Sequence, residues 1–124
     1  MILALAVAVL GGLGAATRFV VDGAIRRRWT SVLPVATVAV NVSGSLVIGL
    51  LAGAATFHGL GPDVRVVAAT GFCGGYTTFS TAMVETVRLA QAGELRAAVL
   101  NAVGTLALTV AAAATGVAVM AALA

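Results

Sequence analysis

The sequence predicts an all-α membrane protein of four transmembrane helices in a single domain, residues 1–124. Three observations carry that prediction. Hydrophobic residues make up 61% of the chain and charged residues 9%, whereas a soluble domain carries about 25% charged residues and uses them to cover its surface. Four segments reach the roughly 20 apolar residues needed to cross a hydrocarbon core: residues 2–21, 35–57, 66–89 and 97–123. The connections between them are short, which leaves no extramembrane domain and puts any function inside the membrane.

The first span is uncharged until Arg18, near its end. It lacks the basic leading region of a secretory signal, so it reads as a helix that stays in the protein. Gly11, Gly12, Ala15 and Ala16 recur at helical spacing and would let another backbone approach closely. Residues 22–33 follow as a connection holding Arg26, Arg27, Arg28 and Trp29.

Pro34 precedes the second span, a position where a helix tolerates proline. Gly44, Gly49 and Gly53 give this span its own small-residue face. Its polar string is Asn41-Val42-Ser43-Gly44-Ser45. Asn41 can donate two hydrogen bonds through its amide, either as glue between helices or as part of a site. Residues 58–65 close the segment with Gly59, Gly61 and Pro62 as breakers.

The third span holds most of the polar residues, in Gly71-Phe72-Cys73-Gly74-Gly75-Tyr76-Thr77-Thr78-Phe79-Ser80-Thr81. Adjacent glycines followed by β-branched threonines make a poor continuous helix. Two readings stand. A break would free backbone carbonyls at mid-membrane, where irregular backbone must be buried or line a cavity, and converging carbonyls form a cation site. Alternatively the helix is unbroken and its hydroxyls bond back one turn. Phe79 has a ring edge of positive character that can touch a small anion, though any one such ring is ordinarily core. Cys73 is expected to be a buried, inert thiol. With His58 it cannot assemble a zinc site.

The fourth span is uncharged. Asn101, Thr105 and Thr109 fall four residues apart and share a face. They form a ladder of neutral donors that could replace water around an anion without the tight grip of a full charge, or bond to a neighbouring helix. Glu85 and Arg88, three apart, are spaced for a local helix-surface pair, and Glu94 and Arg96 lie close by.

Orientation follows from the arginines. All seven cations are Arg. The first and third connections, with their flanking helix ends, hold Arg26, Arg27, Arg28, Arg88 and Arg96, against Arg65 alone on the other face. The positive-inside rule puts the five-arginine face in the cytoplasm and both termini outside. The formal charge of +3 does not indicate nucleic acid, because the basic residues sit between apolar runs and not on a polar patch. An enzyme is disfavoured, since no nucleophile–base pair, metal spacing or phosphate loop is visible. A proton-coupled small multidrug antiporter would need a membrane-embedded carboxylate, and residues 1–21 contain no acid.

The string from Gly71 to Thr81 resembles the signature of the CrcB/Fluc fluoride channels. So do Gly12-Leu13-Gly14-Ala15-Ala16-Thr17-Arg18 and the string from Asn41 to Ser45. The matches are in order and extend over nearly the whole chain. The resemblance implies an antiparallel, dual-topology dimer in the cell membrane whose third helix is broken near its middle. It implies a structural sodium ion, not transported, held by the backbone carbonyls of Gly74 and Thr77 from each subunit. It also implies fluoride pores lined by Asn41, Phe79, Ser80 and Thr81, with a fourth-helix track at Asn101, Thr105 and Thr109 and Arg18 near the mouth. The implied activity is passive fluoride export, which lowers cytoplasmic fluoride. Two positions depart from the family pattern: a second pore-facing Phe is replaced by Ala82, and a frequent Tyr by Asn101. The arginine bias favours one fixed orientation. From that bias we expect an alternative assembly, in which this chain pairs with an oppositely oriented paralogous subunit and serves as a non-conducting or half-conducting partner.

Overall fold

A computed structural model describes residues 1–124 and is all-helical, with no strand. Helix α1 is Ile2–Arg28 and α2 is Val35–Phe57. Helix α3, residues 62–76, begins as Pro62–Val66, widens into a π-helix over Val67–Cys73 and closes with Gly74–Tyr76. Thr77 and Thr78 then take extended backbone. Helix α4 is Phe79–Gln91 and α5 is Leu95–Ala122.

Three helices, α1, α2 and α5, are long and apolar enough to cross a membrane. The third expected span, residues 66–89, is divided between α3 and α4. The second matches its expected bounds. The first runs on through residues 22–28, which were expected to be connection. Asp22 and Arg26 lie one turn apart and pair at 2.6 Å, and Arg26, Arg27 and Arg28 fill the last turn, where cations suit the negative end of the helix dipole.

Close backbone approach sets the packing. Helix α1 crosses the π-helical turn, and α2 packs most extensively on α5. At the first crossing a Cβ on Gly75 would collide with the Gly11 carbonyl, and one on Gly14 with the Phe72 carbonyl. The wide turn is itself recorded in the Gly74 N–H, which bonds Ala69 O five residues back. At the second crossing a Cβ on Gly116 would lie 2.6 Å from both Leu46 O and Leu50 N. Only 14 of 124 residues are buried, and the buried apolar ones are Ala36, Val40, Cys73, Ala82 and Ala98. Large apolar side chains instead line the outside, as they do where lipid or a second chain covers them.

Candidate functional site

The site is built around the two extended threonines. Thr78 would close the helical hydrogen bond to the Gly74 carbonyl if α3 continued. Its N–H donates instead to Asn41 Oδ1 at 2.8 Å, and its carbonyl accepts from Asn41 Nδ2 at 2.8 Å. Asn41 is 8% exposed, so both bonds form away from water. The amide of α2 thus stands in for a neighbouring strand and satisfies the non-helical backbone. The Thr78 hydroxyl caps α4, accepting from the Thr81 N–H at 3.2 Å, and donates to Thr81 Oγ1 at 3.0 Å. Ser80 Oγ is 3.4 Å from it. Arg18 Nη1 donates to the Thr77 carbonyl at 3.0 Å.

Three cavities follow one another along this junction. A first cavity of about 240 Å³ is lined by Asn41, Ser45, Phe79, Thr105 and Thr109 together with Ala82 and Met83. Phe79 is 78% exposed and stands at its rim. The Thr105 hydroxyl is buried and has no hydrogen-bond partner, an unusual state for a buried donor. Thr109 donates back to the Leu106 carbonyl at 3.0 Å. A second cavity of about 300 Å³ holds Arg18, Asp22, Arg26, Thr37 and Thr81. Thr78 walls both the first and the second. A third cavity of about 490 Å³ adds Ser80, Glu85 and Arg88, and shares Asp22, Arg26 and Thr81 with the second. The order is therefore neutral donors and a ring in the first cavity, then charged groups mixed with hydroxyls in the second and third.

Asn101 lies outside all three. It is buried between α4 and α5, where its Nδ2 donates to Thr86 Oγ1 at 2.8 Å and to the Ala82 carbonyl at 3.4 Å. Glu85 does not pair with Arg88, as their spacing suggested. It reaches across to Arg26 at 2.8 Å, and Arg26 also holds Asp22. That link joins positions 59 residues apart, and nothing local announces it. Ser45 was readable, since it sits one turn beyond Asn41 on the same face. Thr78 lay inside the quoted signature, but its role depends on contact with α2.

Chemically, the first cavity is lined by hydroxyl- and amide-bearing residues and a phenyl ring with no formal charge, while the arginines lie in the second and third. Such a site can hold a small desolvated anion weakly enough to release it. For a cation, the fit of Gly74 and Thr77 depends on free lone pairs. The Gly74 carbonyl has lost its helical partner to Asn41. The Thr77 carbonyl gives one lone pair to Arg18 and keeps the other. Each carbonyl thus keeps an unfilled acceptor position, although the Arg18 guanidinium beside the Thr77 oxygen opposes a cation there.

The family described as CrcB-like protein, Camphor Resistance (CrcB), matches residues 5–117. The chain belongs to this family. A CrcB relative from Leifsonia xyli subsp. xyli, named fluoride-specific ion channel FluC 1, is 53% identical over 112 residues, 90% of this chain and 82% of that one. One from Mycolicibacterium paratuberculosis, named fluoride-specific ion channel FluC 2, is 47% identical over 97 residues, 78% of this chain and 76% of the other. Another FluC 2, from Cutibacterium acnes, is 44% identical over 99 residues, 79% and 80% of the two chains. With its long apolar helices, this CrcB chain is a multi-pass membrane protein and not an enzyme.

Proposed function

We propose that this chain is a subunit of a fluoride-selective channel through which fluoride leaves the cell passively. The observation that carries this reading is the first cavity, which gathers Asn41, Phe79, Thr105 and Thr109 and leaves the buried Thr105 hydroxyl without a partner. A fluoride ion there would accept that hydroxyl's hydrogen bond once the Thr105 side chain turns it from its buried position into the cavity. The Phe79 edge covers it, and the absence of a fixed cation lets it move on. Arg18 and Arg26 raise the local concentration of anions at the mouth, and Ser80 and Thr81 receive the ion beyond it. The relatives' names support the same substrate.

The subunit acts as half of an antiparallel dimer. A second chain would cover the exposed Phe79 and the outward apolar residues of α5, and would close the cavity into a pore. The same pairing brings the Gly74 and Thr77 carbonyls of two chains together, giving four oxygens for a structural sodium ion. That ion would fix the dimer without being carried. The arginine bias favours a second assembly, with a paralogous partner inserted in the opposite sense. In that case Ala82 is the member of a pair whose ring comes from the partner.

Fluoride efflux from liposomes containing the purified chain, read with a fluoride electrode against a chloride control, tests the proposal. Rapid fluoride-selective efflux is expected. Silence from the chain alone, with efflux restored by a co-expressed relative, would favour the heterodimer. Silence in both would remove the channel reading.

A further inference from the structure

We propose that the C-terminal end of α1 binds the headgroup of an anionic phospholipid, at Arg27, Arg28 and Trp29. Helix α1 has 27 residues and is therefore about 40 Å long, against a hydrocarbon core about 30 Å thick. Its last turns stand in the headgroup layer. Of the three arginines there, Arg26 is already used, holding Asp22 and Glu85. Arg27 and Arg28 are exposed and form no ion pair. The nearby carboxylates of Asp22 and Glu85 are both engaged by Arg26. The helix end carries about half a negative charge, which two free guanidiniums outweigh.

The shape of the surface selects among anions. A pocket of about 370 Å³ is lined by Ala24, Ile25, Arg28 and Trp29. It sets a guanidinium beside an apolar wall and an indole that is 66% exposed. A free phosphate would engage Arg28 and leave that wall in water. A phospholipid offers phosphate and acyl chain side by side, with the indole at the interface between them, where tryptophan is favoured. A net-negative headgroup gives a second point of attraction for Arg27.

Trp29 is the single tryptophan of the chain, so its fluorescence reports this place alone. The full chain would be reconstituted in phosphatidylcholine vesicles containing equal mole fractions of brominated phosphatidylglycerol or brominated phosphatidylcholine. The anionic lipid is expected to quench Trp29 with a roughly fivefold stronger apparent affinity per arginine engaged. High salt should narrow the difference. The doubly substituted R27Q/R28Q chain should show the two lipids quenching equally, while R27K/R28K should keep the preference and control for folding. Equal quenching in the unsubstituted chain would overturn the proposal. So would a preference that survives R27Q/R28Q, or one in the unsubstituted chain that is indifferent to salt.

Discussion

Helices α2 and α5 meet where side chains are missing, whereas α1, α2 and α4 meet around Thr78 where side chains are spent on backbone. In the first region a Cβ on Gly49 would collide with the Ala113 carbonyl, and Gly116 lies equally close to Leu46 and Leu50. In the second, Asn41 makes two hydrogen bonds to one residue's backbone. The difference follows from the solvent. Lipid gives no hydrophobic drive for helix association, so continuous helices gain by bringing backbones close. Interrupted backbone leaves polar groups that lipid cannot satisfy, so a polar side chain must come to them. The candidate pathway lies in the second region, where the polar groups already are.

The largest effect should come from breaking the close-packed region. Gly116→Ala puts a methyl group against backbone on α2, which cannot move alone. We expect a loss of about 3 kcal/mol, read as a lower unfolding temperature in detergent. Gly104→Ala is the matched control on the same helix, because a Cβ there meets nothing within 4 Å. It should be neutral or slightly stabilising. If the two variants unfold alike, close approach is not what holds α2 to α5.

Next is the clamp. Asn41→Ala removes both bonds to Thr78 and should cost about 2 kcal/mol, roughly 1 for each lost bond. Fluoride efflux should collapse with it. Asn41→Asp would set a buried carboxylate oxygen against the Thr78 carbonyl, so it should destabilise at least as much as alanine. A smaller effect is expected inside the cavity. Thr105→Val keeps the shape and removes an unpartnered hydroxyl, so stability should hold or rise while efflux falls about tenfold, the weight of one hydrogen bond to a charged ligand. A drop in stability with unchanged efflux would make Thr105 a packing residue.

How much of this was legible in the sequence depended on how local the cause was. Helix α2 coincides with the expected segment, because Pro34 precedes it and the breakers Gly59, Gly61 and Pro62 follow it. The polar string of α3 and α4 advertised poor helix, but the backbone leaves helical values at Thr77 and Thr78 and not at Gly74 or Gly75. The π-helical turn had no local signal. It coincides with Gly71 lying against Val7 and Leu10 of α1, a contact between distant parts of the chain. Of the expected ladder on α5, Thr105 and Thr109 line the first cavity and Asn101 does not. A spacing of four drifts by about 40° per step on a helix of 3.6 residues per turn, so Asn101 is turned by about 80° from Thr109. It faces Thr86 on α4, while Thr105 and Thr109 face the cavity.

The smallest effect concerns the charged mouth, where the two partners of one ion pair should not be equivalent. Arg26 holds both Asp22 and Glu85, and its side chain is 48% exposed against 15% for Glu85. Arg26→Gln strips two carboxylates of their partner at once. One of them is Glu85, whose Oε2 is already buried without a partner. Leaving that group unpaired costs more than the pair itself contributes. We expect a loss of about 1 kcal/mol, discounted for the exposure of Arg26. Glu85→Gln removes the buried charge together with its need, and Arg26 keeps Asp22. That change should cost no more than about 0.5 kcal/mol. Unfolding temperatures of the two variants at low and high salt check the inequality. Equal losses would mean that the mouth is held by simple pairwise attraction. An unequal pair, with the arginine dominant, would mean that burial of Glu85 sets the scale there, as burial of Asn41 does at the clamp.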